Sequence, residues 1–300
     1  MINLKSISLD DKPVFDKYFR LFPYENSEYS FANTFSWQDG YKLRYFIHDE
    51  TLCMLVQYGD NPAVATFPIG RNPQQCFDLL MEYFKENNTQ PLIRLYGQDD
   101  IDKFEELMKS YGKKYTITEN VFLNDYVYNT QDLINLSGKK YHAKRNHINK
   151  FKQLYNYTYE VMTAKTALEC LELYNRWQSR KDDDYVDTLT DSDNAVYKML
   201  TNFDALLLKG GILRVDGVAV AFSVGEYLNP KMAIIHLEFA DTAYEGSFTM
   251  INQQFIEHEF ADTEFVNREE DMGIEGLHKA KMSYKPVKFS RKFLATVTDE

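Results

Sequence analysis

Twice along the 300-residue chain, three strand-like runs are followed by an amphipathic helix and then by another strand. A helix in that position is a crossover, and crossovers join parallel strands within one sheet. The first set of strands is Lys42 to His48, Leu52 to Tyr58 and Ala63 to Ile69. The helix after it places Cys76, Leu79, Leu80, Tyr83 and Phe84 on one apolar stripe, and the strand Pro91 to Tyr96 follows. A helix carrying Ile101 to Tyr111 and strands Lys114 to Thr118 and Phe122 to Tyr128 close the half. The second set is Ile212 to Val215, Val218 to Tyr227 and Met232 to Ala240, with a turn at Asp216-Gly217. Helix Ser247 to Phe260, strand Glu264 to Asn267, helix Ile274 to Lys281 and strand Val287 to Phe293 complete it. Helices precede each set: Asp10 to Phe22 and Tyr29 to Trp37 in the first half, and Ser137 to Leu154, Ala167 to Trp177 and Ala195 to Leu208 in the second. Only the order repeats, since residue identity between the halves is not visible. The expectation is an α+β chain of two domains, 1–130 and 131–300, each a mostly antiparallel mixed sheet flanked by helices.

Charge is distributed unevenly. The net charge of −11 argues against a general nucleic-acid binder. Yet no acidic residue lies between Asp132 and Glu160, a gap that holds Lys139, Lys140, Lys144, Arg145, Lys150 and Lys152. One positive element on a negative body reads as a local anion site. The plainer alternative is a solvated helix that neutralises its acidic surroundings. Cys53, Cys76 and Cys170 form no close pair, which disfavours a disulfide framework or a zinc ribbon. No stretch approaches the ~20 apolar residues of a membrane span, and residues 1–10 lack a signal-peptide core. The expected address is cytoplasmic, with no integral membrane segment.

Three motifs carry a resemblance to a known family. They are Gly-Lys-Lys-Tyr-His-Ala-Lys-Arg-Asn-His-Ile-Asn-Lys-Phe at 138–151, Asn-Arg-Glu-Glu-Asp-Met-Gly-Ile-Glu-Gly-Leu-His-Lys-Ala-Lys-Met-Ser-Tyr-Lys-Pro at 267–286, and the segment Pro23 to Trp37. Together they resemble the family named after the C-terminal domain of phosphatidylglycerol lysyltransferase, whose stand-alone members are tandem GNAT-like (acyl-CoA N-acyltransferase) proteins. The element order is similar to that of GNAT domains. Better-known relatives move an amino acid from aminoacyl-tRNA to a lipid or a peptidoglycan precursor, so the resemblance implies an acyl- or aminoacyltransferase. Fold alone does not fix chemistry. His278 stands where the family usually has Arg, and would hold an anion only weakly at neutral pH. Acetyl-CoA GNATs carry a Gly-rich pyrophosphate loop, and the matching stretch here is Asp241 to Phe248, with one Gly and two acids. Asp241 and Glu245 would repel phosphate at that helix start, which lowers acyl-CoA as donor and suits an aminoacyl-tRNA.

Candidate chemistry follows from these segments. On the basic helix, Lys140 and Lys144 lie along one side and Arg145 and Asn149 along another, fit for phosphate. Strand alternation after Asn267 would put Arg268 and Glu270 on one face, and Asn267, Glu269 and Asp271 on the other. Glu269 or Asp271 would grip a substrate amine, with buried Arg–carboxylate pairing as the alternative. His236 and Glu238 lie two apart on a central strand, where Glu238 could deprotonate an attacking amine or form a buried pair with its neighbour. Lys281, Tyr284 and Lys285 could screen a leaving anion, or form a surface cluster. The stretch Asp182 to Asp193 lacks the Gly and Glu of a calcium loop and reads as solvated. No metal and no tightly bound cofactor are expected. The co-substrate is aminoacyl-tRNA or acyl-CoA, with tRNA docking through the basic helix. The acceptor is an amine or hydroxyl of a small molecule or peptide. A non-catalytic anion- or RNA-binding protein is the rival of another class.

Overall fold

The computed structural model describes residues 2–178 and 191–298. The chain divides into two compact units. The first comprises residues 1–125, 270–273 and 289–300, and the second 126–269 and 274–288. The sequence expectation of 1–130 and 131–300 differs by assigning both late segments to the second half.

In the first unit, helices α1 (Lys12–Phe19) and α2 (Phe31–Trp37) precede strands β1 (Arg44–His48), β2 (Thr51–Val56), β3 (Val64–Thr66) and β4 (Ile69–Gly70). Then come α3 (Pro73–Glu86), β5 (Leu92–Tyr96), α4 (Gly97–Tyr111) and β6 (Lys114–Glu119). Strand β7 (Asp125–Asn129) and helix α5 (Thr130–Asn135) lead into the second unit. That unit continues with α6 (His142–Leu154), β8 (Tyr157–Val161), α7 (Ala164–Gln178), α8 (Asp191–Thr201), β9 (Lys209–Val215), β10 (Val218–Asn229) and β11 (Met232–Ala240). Helix α9 (Ser247–Glu259), β12 (Phe265–Asn267), α10 (Glu275–Met282), β13 (Lys288–Ser290) and β14 (Lys292–Thr298) end the chain.

Each unit has a mixed sheet built on the same plan. The first sheet runs β1-β2-β3-β5-β14-β6, with β4 on β2. Its parallel pair, β3 with β5, is joined through α3. That helix buries Cys76, Phe77, Leu80 and Phe84 on one stripe, each large side chain worth roughly 1.5–3 kcal/mol. The second sheet runs β13-β7-β12-β11-β10-β9-β8, and its parallel pair, β11 with β12, is joined through α9. Helix α9 buries Met250, Ile251, Phe255 and Ile256 against the sheet.

The sequence reading used one strand in each half in the wrong place. Strand β7 pairs with β12 in the second sheet. The single expected strand Val287 to Phe293 is two, and β14 lies between β5 and β6 in the first sheet. Alternation and propensity identify a strand, but they do not identify its partner. Of the Asp-rich stretch, Asp182, Asp183, Asp184 and Asp187 lie outside the described residues, whereas Asp191 and Asp193 open α8.

Candidate donor site

The site in the second unit begins with a fault in the sheet. Val224 opposes Leu237 and Gly225 opposes Ile235, so His236 is an extra residue in β11, a β-bulge. Gly225 is required opposite it, because a Cβ there would lie 2.2 Å from the Ile234 carbonyl oxygen. The His236 ring is fully buried, with Nδ1 2.8 Å from Glu269 Oε1 and Nε2 3.1 Å from Glu226 Oε1. Burial alone would lower its pKa, but the two carboxylates outweigh burial and raise it to about 9. The ring is therefore an imidazolium at neutral pH, donating from both nitrogens.

Arg268 follows directly after β12. Its N–H donates to the Tyr126 carbonyl at 2.9 Å. The chain then turns at Glu269, whose φ is +55°. Lys281 Nζ secures that corner by donating to the carbonyls of Arg268 at 2.6 Å and Glu269 at 3.1 Å. The expected alternation therefore stops at Asn267. Arg268 goes to Glu238 and Glu269 goes to His236, while Glu270 and Asp271 belong to the first unit. There Glu270 joins Lys292, and the Asp271 carboxylate accepts the Gly273 N–H at 2.9 Å.

Glu238 is engaged at both oxygens. Arg268 Nη2 lies 2.8 Å from Oε1, and Asn252 Nδ2 donates to Oε2 at 2.7 Å. A carboxylate only accepts, so the Asn252 amide nitrogen must face it and the amide oxygen must point away. Asn252 Oδ1 is buried and meets no donor, and Arg268 Nη1 is buried and meets no acceptor. The guanidinium carbon lies 4.7 Å from the Tyr284 ring centre, and Lys144 Nζ stands 3.7 Å from the same centre. Lys144 has no carboxylate in ion-pair range among the described residues. Its pKa is lowered to about 8, by burial first and then by repulsion from Arg268, against the pull of Glu238.

Of the residues expected from the sequence, the structure brings together Lys144, Arg268, Tyr284 and Glu238. The others have separate places. Lys140 pairs with Asp132 at 2.8 Å, and Arg145 donates to the carbonyls of Leu136 and Gly138, closing the end of α5. Lys281 holds the corner described above, and Asn149 and Lys285 are exposed. His236 and Glu238, for which a buried pair is the alternative reading, have different partners. His278 Nδ1 is 2.8 Å from the Tyr126 hydroxyl. Asn252 and Glu226 were not foreseen. The visible signal for Asn252 is a polar residue one position from Ile251 on an apolar helix.

The loop from β11 to α9 has four of its N–H donors engaged within the protein. The Ala243 N–H donates to Asp241 Oδ1, Tyr244 to the Asp241 carbonyl, Glu245 to the Tyr155 hydroxyl and Ser247 to the Tyr244 carbonyl. Glu245 also pairs with Lys150 at 2.6 Å. Gly246 lies against α6, where a Cβ would come within 2.4 Å of the His147 carbonyl. Among the described residues, no cluster of His, Cys, Asp and Glu could hold a metal ion, and no helix is long and apolar enough to cross a membrane.

Residues 19–296 match the family described as phosphatidylglycerol lysyltransferase, C-terminal. A conserved protein of unknown function from Bacteroides thetaiotaomicron is 32% identical, with a TM-score of 0.91 over 99% of this chain and 100% of its own. L-PGS from Bacillus licheniformis is 15% identical, with a TM-score of 0.65 over 95% of this chain and 91% of its own. FemX is 9% identical, with a TM-score of 0.60 over 99% of this chain and 98% of its own. At these identities the last two show the fold alone, an α+β fold of the tandem GNAT-like class.

Proposed function

The chain belongs to the phosphatidylglycerol lysyltransferase C-terminal family, and from that premise we propose that it transfers an aminoacyl group from an aminoacyl-tRNA-type donor to an amine or hydroxyl of a small-molecule or peptide acceptor. Family and fold support an activity of the acyl- or aminoacyl-transfer type. The choice of donor rests on one observation. In the loop between β11 and α9, where a CoA-dependent GNAT offers free N–H groups to a pyrophosphate, four N–H groups are already hydrogen-bonded within the protein. The anion-attracting groups lie instead on α6 and at the end of β12.

In the mechanism we favour, the acceptor nitrogen or oxygen attacks the donor's ester carbonyl directly. The new C–N or C–O bond forms, the ester C–O bond breaks, and the acceptor's proton passes to the leaving oxygen. Each Glu238 oxygen keeps a second lone pair, so this carboxylate can relay that proton directly or through water. Glu269 acts through His236 to hold the bulge. Asp271 would orient the 270–273 segment of the first unit. Positioning and charge stabilisation do most of the work.

The test incubates the protein with tRNAs charged with labelled amino acids, with and without peptide and amine acceptors, and with acyl-CoA in parallel. Acceptor-dependent loss of the aminoacyl ester is the expected result. Turnover of acyl-CoA with micromolar CoA affinity by isothermal titration overturns it. So does salt-sensitive tRNA binding with no transfer from any donor.

A further inference from the structure

The charge count around Tyr284 leaves a surplus. Two cations, Lys144 and Arg268, face the same ring at 3.7 and 4.7 Å, and among the described residues the one carboxylate in ion-pair range of either is Glu238, on Arg268. The surplus sits where it is expensive, since Arg268 and Glu238 are 11% and 15% exposed. Two polar atoms are stranded beside it: Arg268 Nη1, a donor, and Asn252 Oδ1, an acceptor on a residue 1% exposed. A buried group left without a partner is costly, and more so when charged. Both costs are relieved by a ligand group that brings negative oxygen to the cations and a hydroxyl or N–H to the amide oxygen.

We propose that the second unit binds a sugar phosphate, its phosphate held by Arg268 and Lys144 and a neighbouring hydroxyl donating to Asn252 Oδ1. This inference rests on the transfer reading: a donor esterified through its carboxyl carries no free carboxylate, so its anion is a phosphate. The arrangement also explains how a transferase can do without the backbone cradle at the β11–α9 loop. The fork of Arg268 is held at Nη2 by Glu238, which leaves Nη1 to the ligand. Glu238 sets the direction of Arg268, and through Asn252 it also sets which way the acceptor oxygen points. Two sources share this chemistry, the ribose phosphates at a tRNA 3′ end and the ribose 3′-phosphate of CoA.

The experiment is titration calorimetry of the full chain at low salt with adenosine 5′-monophosphate, CoA and inorganic phosphate, repeated on three variants. Adenosine monophosphate should bind the unaltered protein more tightly than phosphate. Lys144→Met and Arg268→Lys should each weaken both by tenfold or more. Lys152→Ala, which removes an exposed charge from the same helix, should change them less than twofold. Asn252→Leu should abolish the advantage of the nucleotide over phosphate. A thermal melt of each variant separates lost binding from lost folding. Equal losses for Lys152→Ala and Lys144→Met would mean diffuse attraction and overturn the site, as would no binding by folded wild-type protein. If CoA binds tenfold more tightly than adenosine monophosphate and loses that affinity in Arg268→Lys, the site stands and the aminoacyl-tRNA donor falls. If transfer from aminoacyl-tRNA survives in Arg268→Lys with unchanged KM, the donor stands and the site falls.

Discussion

Each unit places a lysine, buried in the first and half-buried in the second, in a charged cluster, and the two clusters are balanced in opposite senses. In the first unit Lys292 Nζ lies 2.7 Å from Asp125, 2.9 Å from Glu28 and 3.4 Å from Glu270, and the Ser27 hydroxyl lies 3.1 Å away. Arg94, half-buried, adds a second cation beside Tyr96 and Glu28. Carboxylates there outnumber cations by one. In the second unit Glu238 pairs with Arg268, Lys144 lies against Tyr284, and among the described residues cations are in excess there. The first lysine, on β14, is enclosed by acceptors drawn from the N-terminal signature, the start of β7 and the 270–273 segment. The second is left with an aromatic face. A lysine whose acceptors are all supplied by the protein holds the fold together, whereas a lysine left short of acceptors is prepared for something the protein does not supply.

The most severe way to break this comparison is Lys292→Met. Asp125 is fully buried, and Lys292→Met removes the cation 2.7 Å from it while Glu28 and Glu270 remain in the same cluster. A loss of ~3–5 kcal/mol is expected, read as a lower urea midpoint or failure to fold. An unchanged midpoint would show that the first cluster is not structural. Next is His236, raised from 6.5 to about 9 by its two glutamates. A group whose pKa rises on folding contributes its stability below the unfolded value and loses it through the folded one. Stability from this group should therefore decline between 6.5 and about 9, and His236→Gln should flatten that decline in urea midpoints measured across the range. Arg268→Met should cost less than Lys292→Met, about 1–3 kcal/mol. Asn252 still donates to Glu238, and Lys144 remains nearby to supply positive charge. A cost equal to that of Lys292→Met would erase the distinction between the units.

How much of this was legible in the sequence divides along physical lines. Periodicity revealed the crossover helices, because stripes such as Cys76-Leu80-Phe84 report burial directly. The basic gap revealed Lys144, because charge composition is visible without a fold. Strand partners were not legible. Lys292 sits in β14, and nothing local in Lys292 to Thr298 says that it pairs with β5 and β6. The bulge at His236 was equally hidden, since one extra residue in β11 leaves the apolar pattern intact while changing which side chains meet. Alternation consequently gave Arg268 and Glu269 companions that the turn after Asn267 does not keep. Asn252 was overlooked for a related reason: its importance comes from Glu238, fourteen residues earlier, and not from its own helix.

The smallest effect is also the most discriminating. Lys144→Met removes a cation that no carboxylate in the cluster pairs with, and places an apolar side chain against Tyr284, which already offers the lysine only its ring. Nothing buried is stripped of an ion-pair partner, and repulsion on Arg268 is relieved. Stability should change by no more than ~1 kcal/mol, upward if at all. Its pH dependence supplies the sign. Because the folded pKa of Lys144 is lowered from 10.5 to about 8, protonation favours the unfolded chain. That penalty is complete below about 8 and fades as pH rises toward 10.5. Any advantage of the Met variant should therefore be largest at neutral pH and vanish in alkali, as followed by the difference in urea midpoint between the two proteins. A clear loss of stability at neutral pH would mean that Lys144 has a structural partner after all, and the two lysines would then be of one kind.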